Sequence, residues 1–318
     1  LLCPSLTYSF DFFATFKNGK KGDYIVLSLN KTYTCLSIFD KSQNRLVIEE
    51  ITHLQSKVTS EEAKNKFENL KDIASHTLFE IDLESKECLI CFDLIKGHFL
   101  NPKSIDPILL RLFQLEFKPM KKDERRKVGV LDISATIDNR PIWNPTYHFN
   151  GSITKGHTCE GFRAIIPQDI QFIGGKFFEI YLDPLLKDFC FPVWLQIADG
   201  AQSFKMIPLD MGKGFKSQVS ILPRPLPYFS NHFKVSTLIE IEIETTYPID
   251  SHRFFYYQQK PLEIFTAIVE KVEKISGNRF KIYLKKPPQK NEEYHLYTTS
   301  ELDKNMLVEA IQVLKIIE

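Results

Sequence analysis

At roughly 150 residues per domain, 318 residues leave room for two domains, and a chain of this length buries a core without help from disulfides or metals. Hydrophobic residues at 43% and charged residues at 25% exclude disorder as the main state. Lys+Arg 41 against Asp+Glu 40 leaves a net +1, so no global field draws the chain to nucleic acid or to an anionic membrane.

The first nine residues, Leu1 to Ser9, read as the end of an apolar leader, with Thr7 and Ser9 at the small-residue positions of a signal-peptidase site before Phe10. This predicts export. Lipidation of Cys3 is less well served, because Leu2 stands where a small residue is expected. Runs of β-branched and aromatic residues over 23–29, 32–39 and 45–52 predict a three-stranded meander. Thr59-Ser60-Glu61-Glu62 spells a capping box, and Ala63, Phe67, Leu70 and Ala74 follow at helical spacing. Strands are expected over 77–83 and 87–94. The CxxC of Cys88 and Cys91 falls in the second, where residues three apart face opposite ways and serve packing, not redox chemistry. Asp106-Pro107 opens a short helix over 108–115. The run 121–127, Lys-Lys-Asp-Glu-Arg-Arg-Lys, has no apolar residue and reads as a solvated loop or boundary.

Prolines recur through the middle of the chain and exclude long helices there. Short strands are expected over 129–137, 158–166, 176–182, 193–197 and 203–209, in a sandwich or partial barrel. Further on, Ile239, Ile241 and Ile243 alternate with Glu240, Glu242 and Glu244, a one-sided strand with a solubilising acidic face. Strands over 264–275, 279–284 and 294–299 follow, and 307–316 reads as strand or helix. The fold class is mainly β (α+β), with antiparallel sheets and a few short helices. The expected divisions are a leader or tail 1–9, a meander 10–120, a Pro-rich region 128–233 and a C-terminal β region 234–318. No run approaches the 18 or so apolar residues of a membrane helix.

Catalytic signals are sparse. His148, His157 and Cys159 make the nearest approach to a metal cluster, but no HExxH or paired cysteine spacing accompanies them, so no metal or cofactor is expected. No GxSxG elbow occurs, and Asp210-Met211-Gly212-Lys213-Gly214 lacks P-loop spacing and reads as a β-turn. Cys159 and Cys190 lie in separate expected strands, where pairing stays open. Asn30 and Asn150 begin glycosylation sequons that matter only in a eukaryotic secretory pathway. Aromatic segments at 189–194 and 254–257 supply core area if covered, or an apolar binding surface if one face is open. Arg224 sits in an extended Pro-rich stretch, 222–227, as a polar anchor.

Three strings together look familiar: Asn139-Arg140-Pro141-Ile142-Trp143-Asn144-Pro145, the run Gly174 to Leu182, and Phe191-Pro192-Val193-Trp194-Leu195-Gln196. With 222–225 they resemble uncharacterised exported proteins of chlamydia-type intracellular bacteria, most clearly over 138–227 and more weakly over 22–52. The resemblance implies export and an AT-rich genome, which fits the 26 Phe and the excess of Lys, and carries no activity.

The expected function is therefore an exported, non-enzymatic binding or envelope-assembly protein of the periplasm or cell envelope. Trp143, Phe191 and Trp194 would hold an apolar ligand or partner segment, and Arg224 would fix a polar group. The alternative is an exported hydrolase assembled from dispersed residues, with His148, His157 and Asp210 as candidates. A secreted effector is a third reading.

Overall fold

The computed structural model describes residues 9–29, 32–54, 58–102, 108–131, 137–155, 158–170, 173–198, 206–223, 229–237, 239–245, 255–258, 269–287, 293–299, 307–310 and 314–315. It is strand-rich, 48% strand against 8% helix, with antiparallel and mixed sheets, as the alternation in the sequence implies. Among the described residues no sheet closes into a barrel. The chain divides into two compact units, one of 1–76, 81–87 and 107–220, the other of 77–80, 88–106 and 221–318.

The first unit holds a five-stranded antiparallel sheet in the order Phe10–Asp11, Glu116–Pro119, Glu160–Ile165, Phe177–Leu182, Trp194–Ala198. One face is apolar, because Phe162, Ile180 and Leu195 stand opposite one another in register and are buried, as are Phe178 and Ile197. A 3-10 helix, Phe12–Lys17, and a short α-helix, Ile108–Phe113, bring further rings into this core. Phe12 meets Phe113 at 5.0 Å, Phe117 meets Phe178 at 5.7 Å, and Phe16 meets Phe191 edge-on at 5.6 Å. The abundant phenylalanines thus supply packing area of the kind leucine usually provides.

Beside it in sequence, the strands Tyr24–Leu29, Thr32–Lys41 and Arg45–Leu54 form the expected meander. Met206–Gly212 pairs with Tyr24–Leu29, and Tyr147–Phe149 and Ser152–Thr154 extend that edge. The helix Ala63–Glu68 lies over Tyr24, Val26, Cys35 and Ile51 through Ala63 and Phe67. It is shorter than its spacing predicts. Leu70 and Asp72 take positive φ of 50° and 56°, which ends the helical path, and Ala74 belongs to the strand Ile73–Asp82. No capping box forms, since Glu62 is the N-cap and caps with no side-chain bond.

Two other expectations are corrected. Of the strand expected over 129–137, the described residues 129–131 and 137 form none: they are exposed, and pairing beside them among the described residues is a bridge between Lys127 and Ile142, while 132–136 lie outside the described residues. Asp210-Met211-Gly212 is not a turn but the end of a strand, with Asp210 buried.

In the second unit, Cys88–Asp93, His98–Leu100, Leu307–Glu309, Glu293–Thr299 and Phe255–Gln258 run side by side. Leu307–Glu309 lies parallel to His98–Leu100 and is strand, not helix. A four-stranded sheet follows the order Phe229–Val235, Glu240–Thr245, Arg279–Leu284, Val269–Lys274. Ile241 and Ile243 point into its core with Phe280 and Ile282. The opposing glutamates are partly neutralised across strands, Glu240 by Lys281 at 2.8 Å and Glu242 by Arg279 at 3.8 Å.

Candidate functional site

The outer face of the five-stranded sheet is built by register. Arg163, Glu179 and Gln196 stand in one cross-strand row, and Gly161, Tyr181 and Trp194 in another. Side chains alternate along a strand, so both rows share the face opposite Phe162, Ile180 and Leu195. In the first row Arg163 donates from Nε at 3.0 Å and Nη2 at 2.7 Å to Glu179 Oε1, while Gln196 Nε2 donates to Oε2 at 2.8 Å. Glu179 is nearly enclosed yet fully partnered, so this row is a brace and not a reactive carboxylate.

The second row carries the rings. Trp143 stands edge-on to both Trp194 and Tyr181, at 5.5 Å in each case. Its backbone is fixed by the bond from Trp143 N to Arg126 O at 2.8 Å, which brings two guanidinium groups over the cluster. Arg126 lies 5.1 Å above the Trp143 ring and Arg125 lies 5.7 Å from the Tyr181 ring. Such contacts are worth about 0.5–1 kcal/mol each when exposed and more as water is excluded. Gly161 makes the arrangement fit, because a Cβ there would sit 3.2 Å from the Tyr181 ring and 3.5 Å from Arg125 Nε. Tyr181 is fully buried; its hydroxyl and Arg125 Nε have no hydrogen-bond partner among the described residues. Burial first, and then the charge of Glu179, push the Tyr181 phenol up to about 12.

Trp143 and Trp194 are therefore brought together, both half-buried. Phe191 is not with them: it is buried against Phe16 and Phe189 in the phenylalanine core. Arg224 lies outside the described residues. Sequence reasoning missed Tyr181, Arg125 and Arg126, which only the register and the Arg126–Trp143 bond place here. Alongside, a groove of about 440 Å³ runs between Lys118, Glu124, Arg163 and Phe177, with Arg163 4.8 Å over the exposed Phe177 ring.

The hydrolase candidates make a different picture. Asp210 accepts from the Tyr24 hydroxyl at 2.6 Å and the Gly151 amide at 2.9 Å. Burial raises its pKa, and those two bonds oppose the rise. His148 is on the neighbouring strand, but its Nδ1 is buried without a partner among the described residues, so no described carboxylate orients the ring through that nitrogen as a general base requires. His157 lies outside the described residues. Among the described residues no three His, Cys, Asp or Glu side chains group to hold a metal, and Cys159 and Cys190 are both free.

The family described as CT021 protein matches residues 34–155. That span takes in the string 139–145 and most of the weaker echo at 22–52, while the strings at 174–182 and 191–196 fall beyond it. No curated protein matches the chain. Among solved structures, the hypothetical protein CT021 from Chlamydia trachomatis is similar at 17% identity and a TM-score of 0.49, over 68% of this chain and 99% of that one. The chain is thus similar to an uncharacterised protein of chlamydial type, as its sequence strings imply.

Proposed function

We propose that this is an exported, non-enzymatic binding or envelope-assembly protein that holds an apolar ligand or partner segment on the outer face of its five-stranded sheet. One observation carries the reading. The chain has two tryptophans, and both meet edge-to-face on a half-open sheet surface, beneath Arg125 and Arg126. Neither guanidinium forms an ion pair with a described carboxylate; Arg125 Nη2 is held by Asn144 Oδ1 at 3.2 Å, while the exposed Arg126 is able to face a bound group. An open aromatic surface with a few polar groups is the usual make-up of a binding site. The neighbouring groove extends this surface past Arg163 to Phe177 and Lys118. Support for export is the leader-like composition of residues 1–9 together with the resemblance to exported chlamydia-type proteins.

Native mass spectrometry of full chain purified from its own cells tests the binding reading. A retained mass is expected with the wild type and is expected to be lost in Trp143→Ala and Trp194→Ala, with circular dichroism unchanged. If both variants unfold, the rings are core and the reading fails. Fractionation of the source cells tests the address, with the chain expected in the envelope or periplasmic fraction.

A further inference from the structure

Beside the tryptophan pair two hydrogen-bond donors are buried without an acceptor among the described residues, the Tyr181 hydroxyl and Arg125 Nε. Tyr181 is 0% exposed, and with its phenol pushed up to about 12 it keeps its proton at neutral pH and offers it as a donor. The two share one small space. The place a Cβ of residue 161 would take is 3.2 Å from Cε1 of the Tyr181 ring and 3.5 Å from Arg125 Nε, and a glycine stands there. Arg125 is held in position by Nη2, which donates to Asn144 Oδ1 at 3.2 Å, an oxygen that also accepts from the Cys159 amide at 3.1 Å. Glu179, in the adjoining row, is taken up by Arg163 and Gln196 and answers neither donor.

Folded chains leave few buried donors unanswered, because each has given up its bond to water and gained nothing in return. Here two lie in one corner, one of them on a cation, against both tryptophans of the chain. An acceptor with negative charge fits them. Two donors match the two oxygens of a carboxylate, whereas a phosphate would leave an oxygen over. The half-buried rings of Trp143 and Trp194 suit an apolar body carried on that head. Arg126, exposed above Trp143 and close enough for its charge to act on Tyr181, adds to the attraction.

We propose that the Tyr181–Arg125 corner is the head-group pocket of this binding face and that its ligand is an apolar carboxylic acid, whose carboxylate accepts from Tyr181 Oη and Arg125 Nε while its body lies against Trp143 and Trp194. The inference rests on the binding reading and names the ligand class for the same face. Entry moves side chains alone: the chains packed over Gly161 beside the ring are Arg125 and Met120, whose sulfur is 3.4 Å from the same point, and both are unbranched and flexible.

The test is titration of the full chain with octanoate, octanol and octyl phosphate, read by tryptophan emission, which reports on this face because both tryptophans stand on it. A saturable change with octanoate is expected, with octanol weaker by about tenfold or more, the worth of a hydrogen bond to a charged group. Tyr181→Phe and Arg125→Lys, the second keeping the charge but not the Nε donor, are each expected to weaken octanoate by about tenfold or more and to leave octanol unchanged. Tyr181→Phe is expected to melt no lower than the wild type, because it deletes a hydroxyl that bonds no described residue. A clearly lower melting point for that variant overturns the proposal, since the hydroxyl then serves the fold. So does the absence of a saturable response to octanoate, equal affinity for octanoate and octanol, or undiminished octanoate binding in both variants. Tighter binding of octyl phosphate than of octanoate overturns the carboxylate assignment and gives the donors to a phosphate head. Should octanoate fail while Trp143→Ala still loses a retained mass, the carboxylic acid falls and the binding reading stands.

Discussion

Glu49 and Glu50 are neighbours on one strand and live in opposite circumstances. Alternation turns Glu49 into the interior, where it accepts from Ser37 Oγ at 3.2 Å and Ser217 Oγ at 2.8 Å and bonds His76 Nε2 at 2.7 Å. Three partners make it a hub. Glu49→Ala would strand three polar groups around a cavity and is expected to cost about 3 kcal/mol of stability in denaturant unfolding. A loss below ~1 kcal/mol would show that the hub is dispensable. Glu50 faces the other way, opposite Leu36, and burial alone pushes its carboxyl from 4.5 up to about 7. The folded chain therefore binds a proton more tightly there than the unfolded chain does. The sign follows: this group favours the fold below about 4.5 and withdraws that support as pH rises toward about 7. Glu50→Gln is expected to be more stable than the wild type at about pH 8, by ~1–2 kcal/mol once its partial exposure is allowed for. Below its unfolded pKa the difference should vanish. Equal stabilities at both pH values would show that solvent already relieves the charge.

Elements were legible where one physical signal dominated. The Ile/Glu alternation at 239–244 announces a strand with one buried face, and Ile241 and Ile243 are in the core, whereas Ile239 precedes the strand Glu240–Thr245 and is 44% exposed. The helix after Glu62 ends sooner than its pattern implies, because Phe67 and Leu70 satisfy a helical spacing that the left-handed Leu70 and Asp72 do not let the backbone follow. Asp210 looked like a turn because Asp and Gly favour turns, whereas here the carboxylate caps the Tyr24 hydroxyl inside a sheet. The candidate site was half legible. Trp143 and Trp194 stand out as rare side chains, but Tyr181 joins them only through the Gly161–Tyr181–Trp194 register, and register is not written locally. That row gives a test at the scale of the strand. Gly161→Val would press on the Tyr181 ring, the Met120 sulfur and Arg125, so about 1–2 kcal/mol of destabilisation and a shifted tryptophan emission are expected. Unchanged emission would mean that the ring cluster tolerates a filled position and does not depend on that close approach.

At the scale of the whole molecule, the cysteines offer a reporter in each unit. Of the six cysteines, Cys35, Cys159 and Cys190 belong to the first unit and Cys88 and Cys91 to the second, and none of these five is in a disulfide. Burial drives the thiols of Cys35 and Cys190 far up, Cys88 up to about 12 and Cys159 up to about 11. The thiolate is the reactive form, so at about pH 8 the folded chain should resist alkylation at these positions while an unfolded chain, with thiols near 8.5, reacts readily. Alkylation of the native full chain, read by peptide mass spectrometry, is expected to leave all five unmodified, and labelling in strong denaturant without reductant is expected to modify all five. Following the two sets of peptides through intermediate denaturant then measures the stability of each unit separately, because a thiol becomes reactive only when the core around it opens. Should Cys159 and Cys190 stay unlabelled in strong denaturant until a reductant is added, they are joined in the natural protein, and the free, buried thiols of the first unit are not its native state. Full labelling without reductant shows instead that packing alone holds that unit together, which is what a phenylalanine-filled core of this size can supply.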